Sequence, residues 1–208
     1  TGMHAIALAR LGFDCAGADL SSRMIEKARA NAQEAGVKVN FKVAGFCTLH
    51  QHFADTPFDA LLCLGNSLPH VTTTEELEQT LADFKACLRP QGLLLLQNRN
   101  FDAVLASKDR WMPREAYRDD QHEWLFERFY DFEPDGLIRF NMVTLKRELG
   151  ADWQSQVSSS MLYPQTETFL HDALLRSGFS VVEVLGSMGG EPFDRARSGN
   201  LVLLARAS

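Results

Sequence analysis

The sequence predicts an α/β protein with a doubly wound, mostly parallel sheet, and three observations lead to that prediction. Over the first hundred residues, short apolar runs alternate with segments of helical periodicity, which is typical of βαβ units. One run, residues 93–96, consists of four leucines, as expected for a strand covered on both faces. After Asp102, three longer β-like stretches follow one another without helices, which indicates an antiparallel insertion.

Residues 1–102 are predicted to form most of the α/β core. Ser21 or Ser22 is a suitable cap for the second helix, and residues 90–92 (Pro-Gln-Gly) predict a turn before the leucine strand. Apolar spacing predicts the following elements in chain order: helix 3–11, strand 13–18, helix 22–36, strand 37–43, strand 58–64, a helix that starts at the threonines 72–74 and runs through 88, and strand 93–97.

Residues 103–163 are predicted to be an antiparallel β lid, and residues 164–208 to complete the core. Within the lid, an irregular charged stretch precedes three β-like stretches that are separated by turns at 133–136 and 150–152. The last part predicts a helix that ends at Gly178 and then an antiparallel hairpin. The β-like stretches of the lid and the hairpin are 124–132, 137–149, 153–163, 179–185 and 200–205.

The composition limits the classes of function. The net charge is −6, from 27 acidic and 21 basic residues, which argues against broad binding to a nucleic-acid backbone. The four cysteines form no C-x-x-C pair, which favours a reduced, cytoplasmic protein. No apolar run approaches the roughly 20 residues of a membrane-spanning helix, and no signal peptide is visible, so no membrane partner is expected.

Asp19 is the first candidate binding residue. Thr1 and Gly2 form a turn into a helix, a strand follows, and Asp19 ends that strand. A carboxylate in this place can accept hydrogen bonds from both hydroxyls of a ribose, as in nicotinamide dehydrogenases and in methyltransferases that use S-adenosylmethionine. A simpler interpretation is that Asp19 caps the following helix, and these residues alone do not decide between the readings.

A second candidate site follows the strand at 58–64, where the chain reads Leu-Gly-Asn-Ser-Leu-Pro-His over residues 64–70. Glycine, serine and asparagine can expose backbone groups to a ligand. In α/β proteins, ligands bind at the carboxyl ends of the strands. The segment therefore predicts a binding site at this edge of the sheet.

Four stretches together resemble class I S-adenosylmethionine-dependent methyltransferases, and among them the glycine N-methyltransferase-like group. They are residues 1–2 with 17–21, residues 44–49, residues 64–70, and residues 88–95 with 98–102; residues 162–164 match more weakly. The resemblance implies a Rossmann-like methyltransferase fold whose first strand and glycine-rich loop would begin upstream of Thr1. It also implies S-adenosylmethionine as cofactor and S-adenosylhomocysteine as product.

The resemblance further implies cofactor contacts. Asp19 would hold the ribose, Leu20 and Met24 would line the adenine pocket, and Gly45 and Phe46 would contact adenine from the next strand end. The Leu64 carbonyl would accept from the methionine amino group. The full set of implied cofactor residues is Thr1, Gly2, Asp19, Leu20, Met24, Gly45, Phe46, Leu64, Ser67 and His70.

Ser67 and His70 would flank the methionine end of the cofactor. For His70, the alternative is a histidine at the start of a helix that touches no ligand.

For the methyl acceptor, the resemblance implies three residues. Arg99 would clamp a carboxylate of a small amino acid, a task that suits the planar guanidinium. Asn66 would face the acceptor amine, and Tyr163 would lie near the methyl group. The alternative for Arg99 is an ordinary salt bridge. Residues 146–147 (Lys-Arg) stand where the glycine enzymes have an aromatic residue, which favours another carboxylate-bearing or anionic acceptor.

The expected activity is thus methylation of a small molecule, an amine or amino-acid-like acceptor. One alternative is an RNA or protein methyltransferase that docks its substrate on the basic and aromatic side chains of residues 103–123. Another is a non-catalytic relative that binds S-adenosylmethionine. Cys47, His50 and His52 have metal-like spacing but lack a fourth ligand, so no metal is expected. The sequence leaves a homo-oligomer open.

Overall fold

The computed structural model describes all 208 residues, and helices and strands alternate through its first half as predicted. Ser21 caps the second helix, because its hydroxyl accepts the Met24 N–H at 3.3 Å. The six α-helices are α1 (Met3–Arg10), α2 (Ser22–Glu34), α3 (Leu49–Phe53), α4 (Thr74–Cys87), α5 (Phe101–Ser107) and α6 (Glu167–Arg176).

Ten strands form three sheets. The strands are β1 (Ala16–Asp19), β2 (Asn40–Val43), β3 (Phe58–Cys63), β4 (Leu88–Arg99), β5 (Glu115–Arg118), β6 (His122–Phe132), β7 (Ile138–Glu148), β8 (Gln154–Leu162), β9 (Phe179–Leu185) and β10 (Asn200–Ala207). The sheets have the orders β1-β2, β3-β4-β10-β9 and β5-β6-β7-β8.

The predicted parallel sheet is present, but it is divided. β1 pairs with β2 in parallel, and β3 pairs with β4 in parallel, yet β1 and β3 share no hydrogen bonds. The predicted C-terminal hairpin is confirmed, because β10 runs antiparallel between β4 and β9. β1 and β3 therefore each keep one edge without a hydrogen-bonded neighbouring strand.

The main core lies between the second sheet and two helices. Alternate residues of β4 and β10 face α4 and α6, so that Leu94, Leu96, Leu201 and Leu203 are almost fully buried. Since the carboxyl end of β4 is anchored by this core, the residues that follow Gln97 start from a fixed backbone.

Two local expectations differ from the structure. Phe13 was expected in a strand but is 62% exposed, because the strand begins only at Ala16. The turn expected at 90–92 lies inside β4, where the register against β3 shifts and Gln91 has a φ of 65°. Pairing with β3 thus continues on both sides of the predicted turn, which becomes an irregularity within a longer strand.

The insertion forms the predicted antiparallel sheet, to which the irregular stretch adds the short strand β5. Both predicted turns connect strands of this sheet. One end of the sheet packs on α5 through a small cluster of Phe101, Tyr130, Ile138 and Leu162. We call this four-stranded sheet the lid sheet. No helix of the structure is long and apolar enough to span a bilayer.

The cysteines give a test of the core. Burial raises the pKa of the Cys63 thiol to about 12, and burial together with the Asp83 charge raises that of Cys87 to about 11. Because the thiolate is the reactive form, iodoacetamide at pH 8 should label the partly exposed Cys15 and Cys47 well before Cys63 and Cys87. Peptide mass spectrometry measures the extent of labelling at each cysteine.

In urea, all four cysteines should react. Native labelling of Cys63 as fast as Cys47 would contradict the packing described above.

Candidate functional site

A cavity of about 230 Å³ lies where α1, β1 and α2 meet. Among its lining residues are four of the predicted cofactor contacts: Thr1, Gly2, Asp19 and Met24. The aromatic ring of Phe41 closes the cavity from below so tightly that a Cβ on Gly2 would stand 2.8 Å from it. Gly2 also has a φ of 77°, so both the close approach of Phe41 and the backbone conformation require glycine at this position.

Asp19 has one engaged oxygen. Its Oδ1 accepts the backbone N–H of Ser21 at 2.8 Å, which supports the turn into α2. Its Oδ2 has no hydrogen-bond partner in the protein. Both earlier readings of Asp19 are therefore compatible with the structure, since one oxygen supports the helix start and the other is available to a ligand.

Leu20 and Gly45 are neighbours, as the adenine prediction requires. The Leu20 side chain lies over Gly45, where an added Cβ would meet Leu20 Cδ2 at 2.5 Å, and Leu20 is 78% exposed. Phe46 behaves differently, because its ring meets Phe84 edge-on at 5.6 Å and packs against the main core. The structure therefore gives the Phe46 ring a packing partner, and its contact with adenine stays a prediction.

The turn after β3 is closed by hydrogen bonds to the end of β4. The Gly65 N–H donates to Gln97 Oε1 at 2.7 Å, and the Asn66 N–H donates to the Gln97 carbonyl at 3.1 Å. Gly65 and Asn66 both have positive φ, 73° and 62°, a conformation that these two residue types tolerate best. The Ser67 hydroxyl donates to the Leu64 carbonyl at 2.9 Å, which leaves that carbonyl one lone pair.

Arg99 is fixed by its backbone, while its guanidinium meets no carboxylate. The Asn66 Oδ1 accepts the Arg99 N–H at 2.9 Å, so the two predicted acceptor residues are in direct contact. The neighbouring side chains are engaged elsewhere, because Asn98 donates to Gln165 at 3.1 Å and Asn100 donates to carbonyls of the loop before β10.

No carboxylate lies within ion-pair distance of Arg99 in the structure, so the salt-bridge alternative for this residue is not observed. The side chain is exposed at the carboxyl end of β4. An accessible guanidinium without a counter-charge is suited to a bidentate contact with an anionic ligand.

Tyr163 and His70 lie beside the same turn. The Tyr163 N–H donates to the Pro69 carbonyl at 2.8 Å, and its ring packs on Phe169 at 4.9 Å between centroids. Burial lowers the pKa of His70, which favours the neutral imidazole at neutral pH. The residues of this turn do not line the cavity near Asp19, so the predicted site residues form two groups.

Most of the basic side chains just before the lid sheet are paired with neighbouring carboxylates or aromatic rings. Arg110 pairs with Asp131 at 2.7 Å and Arg114 pairs with Glu127 at 2.6 Å. The Lys108 ammonium lies 4.4 Å from the centre of the Phe132 ring. This engagement removes much of the free basic face that docking of RNA would need.

Sequence reasoning missed a buried chain of amides behind the turn. Asn98 and Gln165 are almost fully buried. Asn98 Nδ2 donates to Gln165 Oε1, and Gln165 Nε2 donates to the Leu68 carbonyl at 3.1 Å. A glutamine directly after the weakly matching Tyr163-Pro164 pair was the only signal. Tyr130, which lies near Arg99, was not among the predicted site residues.

Comparisons with known proteins agree with this architecture. A family model described as a methyltransferase domain matches residues 1–92. A glycine/sarcosine N-methyltransferase from Aphanothece halophytica is 32% identical over 160 residues, 71% of this chain and 58% of that protein. The enzyme of the same name from Halorhodospira halochloris is 35% identical over 105 residues, 50% of this chain and 39% of that protein.

The fold is also that of solved methyltransferases. The crystal structure of an S-adenosylmethionine-dependent methyltransferase from Clostridium acetobutylicum superposes with a TM-score of 0.78 at 14% identity, over 94% of this chain and 76% of that one. Fold and family model thus define a methyltransferase domain.

The chain belongs to the class I S-adenosylmethionine-dependent methyltransferases and is related to the glycine/sarcosine N-methyltransferases. The matched segment spans about half the length of these curated relatives.

Proposed function

We propose that the protein transfers a methyl group from S-adenosylmethionine to the nitrogen of a small amine that carries a carboxylate or a similar anionic group. The observation that carries this proposal is Arg99, whose backbone is bound to Asn66 of the 64–70 turn and whose guanidinium has no carboxylate within ion-pair distance. The relatives named glycine/sarcosine N-methyltransferases support the acceptor class, because both named substrates join an amine to a carboxylate.

The residues near Asp19 fit the cofactor. Its Oδ2 is free to accept from ribose, and Leu20 and Met24 offer exposed apolar surface to a planar base. The cavity of about 230 Å³ is smaller than the roughly 300–1,000 Å³ of a pocket for a whole ligand. It therefore accommodates part of the cofactor, and the turn at 64–70 would hold the methionine end.

The remaining residues position the acceptor. When bound, S-adenosylmethionine supplies an electrophilic methyl group on sulfur, and the acceptor nitrogen must approach with its lone pair free. Arg99 would fix the carboxylate, and Asn66, which also holds the Arg99 backbone, would face the amine. Such positioning converts a bimolecular encounter into an oriented reaction, which is the main contribution an enzyme makes to this displacement.

The lid sheet would cover this acceptor side, because its inner end packs on α5 directly after Arg99. Exclusion of water there would strengthen the contact between the guanidinium and the acceptor carboxylate.

Binding and turnover test the proposal together. Calorimetry should detect binding of S-adenosylmethionine and S-adenosylhomocysteine but not of NAD. A methyl-transfer assay over glycine, sarcosine, other amino acids and simple amines should show preference for acceptors with a carboxylate. Binding of NAD in place of S-adenosylhomocysteine, or equal rates with amines that lack an anionic group, would overturn it.

Substitution of Asp19 by alanine tests the ribose contact. The loss of a charged hydrogen bond should weaken S-adenosylmethionine binding by about 1–3 kcal/mol, measured by calorimetry. Asp59→Ala removes an exposed acid that pairs only with Arg89, and it should leave the affinity unchanged. An unchanged affinity in Asp19→Ala would reject the ribose role.

A further inference from the structure

Tyr130 is a buried tyrosine of the lid sheet that reaches the acceptor side of the site. It is only 3% exposed, and its ring contacts Phe132 and Phe140 at centroid distances of 6.4 Å and 6.0 Å. The same cluster contains Phe101, two residues after Arg99, and Leu162, directly before Tyr163. The packing of the lid sheet therefore brings the Tyr130 ring against the two segments that carry the predicted acceptor residues Arg99 and Tyr163.

The Tyr130 hydroxyl lies near enough to the Arg99 guanidinium for that charge to act on it. Burial raises the pKa of this phenol, while the nearby Arg99 opposes the rise, so the hydroxyl keeps its proton at neutral pH. A guanidinium has donors only, so it cannot accept the phenol proton. The phenol proton stays available for another acceptor.

We propose that Tyr130 and Arg99 together form a two-donor clamp for the acceptor carboxylate, in which a guanidinium N–H takes one oxygen and the Tyr130 O–H takes the other. The inference rests on the proposed function and deepens it by adding a residue that contacts the substrate. A carboxylate offers two oxygens with about four acceptor positions, so it can satisfy both donors at once.

The surroundings favour an anion at this point. Arg128, on the same face of β6 as Tyr130, adds positive potential at the phenol and is itself paired with Glu115. An uncharged amide in place of the carboxylate would gain less from the guanidinium. The clamp would therefore select carboxylates over their amides, and Tyr130 would contribute to that selection.

The test variant is Tyr130→Phe, which keeps the ring and removes only the O–H. Acetate serves as the probe, because it carries the carboxylate without an amine, and its binding to protein saturated with S-adenosylhomocysteine can be followed by NMR titration. We expect the acetate Kd to rise about tenfold, while the S-adenosylhomocysteine Kd stays within about twofold. Tyr117→Phe, an exposed tyrosine on the same sheet face, is the matched control and should change neither.

Turnover supplies a readout that a merely structural role would not move. If glycine is methylated, Tyr130→Phe should raise KM for glycine about tenfold with kcat nearly unchanged, and it should affect glycinamide much less. Equal losses for glycine and glycinamide, or an unchanged acetate Kd, would overturn the clamp. If no amine is methylated but the acetate Kd still rises, the clamp stands and the proposed function fails.

A second measurement covers the case in which the variant folds poorly. In the unaltered protein, the carbon-13 signal of the Tyr130 Cζ atom should shift on addition of acetate. The absence of any shift at saturating acetate would also overturn the clamp.

Discussion

Replacement of Arg99 by glutamine is expected to raise KM for a carboxylate-bearing acceptor about 100-fold. A charge-assisted hydrogen bond worth about 1.5–3 kcal/mol is lost, and glutamine restores at most a neutral contact. Arg99→Lys keeps the charge but loses the planar fork, so an increase of about tenfold is expected. Steady-state kinetics over the acceptor concentration, at saturating cofactor, measure both values.

The cofactor affinity separates this role from a structural one. Because the guanidinium pairs with no carboxylate and lies outside the cavity near Asp19, the Kd for S-adenosylhomocysteine should be unchanged in both variants. Arg89→Gln, an exposed arginine at the other end of β4, is a suitable control and should behave as the unaltered protein. Parallel loss of acceptor and cofactor binding would mean that Arg99 supports the fold.

Replacement of Asn100 by alanine is expected to lower the free energy of unfolding by about 3 kcal/mol. The amide is almost fully buried and donates to the carbonyls of Asp194, Arg195 and Ser198, while its Oδ1 accepts the Ala103 N–H at the start of α5. Loss of a helix cap costs about 0.5–2 kcal/mol. The Asp194 carbonyl keeps the N–H groups of Arg197 and Ser198, while the partly buried carbonyls of Arg195 and Ser198 lose their donor, and each adds about 1–3 kcal/mol before relaxation. Urea unfolding measures the difference.

Asn100→Ser divides this effect into its parts. Serine can still cap α5 but cannot reach the loop carbonyls, so it should recover only the capping share of the loss. An equal loss in both variants would show that the cap contributes nothing. A loss below about 1 kcal/mol in Asn100→Ala would contradict the hydrogen bonds described for the loop.

Local signals in the sequence predicted much of the fold. The cap at Ser21 and the buried run of β4 depend on residues close in the chain, and the structure confirms both. The short strand β5 was not predicted, because it exists only through pairing with β6. The turn expected at 90–92 was wrong for the same reason, since pairing with β3 continues on both sides of it.

The site residues also divide into those that local sequence predicts and those that depend on packing between distant segments. The contact between Asn66 and Arg99 follows from two strand ends at one edge of a sheet, which a parallel topology makes predictable. The position of the Phe46 ring against Phe84 depends on how α4 packs, and no local pattern specifies it. The position of Tyr130 near Arg99 depends on the register of the lid sheet, in which Tyr130 lies 31 residues after Arg99 in the chain.

That register limits how the lid sheet can change during evolution. Side chains alternate along β6, so one added or deleted residue within the strand would turn Tyr130 to the outer face and present a neighbour to Arg99. Insertions and deletions in homologous proteins that keep this contact should therefore fall in the hairpin turns at 133–137 and 149–153. The end of the lid sheet that lies away from α5 is free to change in length, while the end that packs on α5 must keep its strand register.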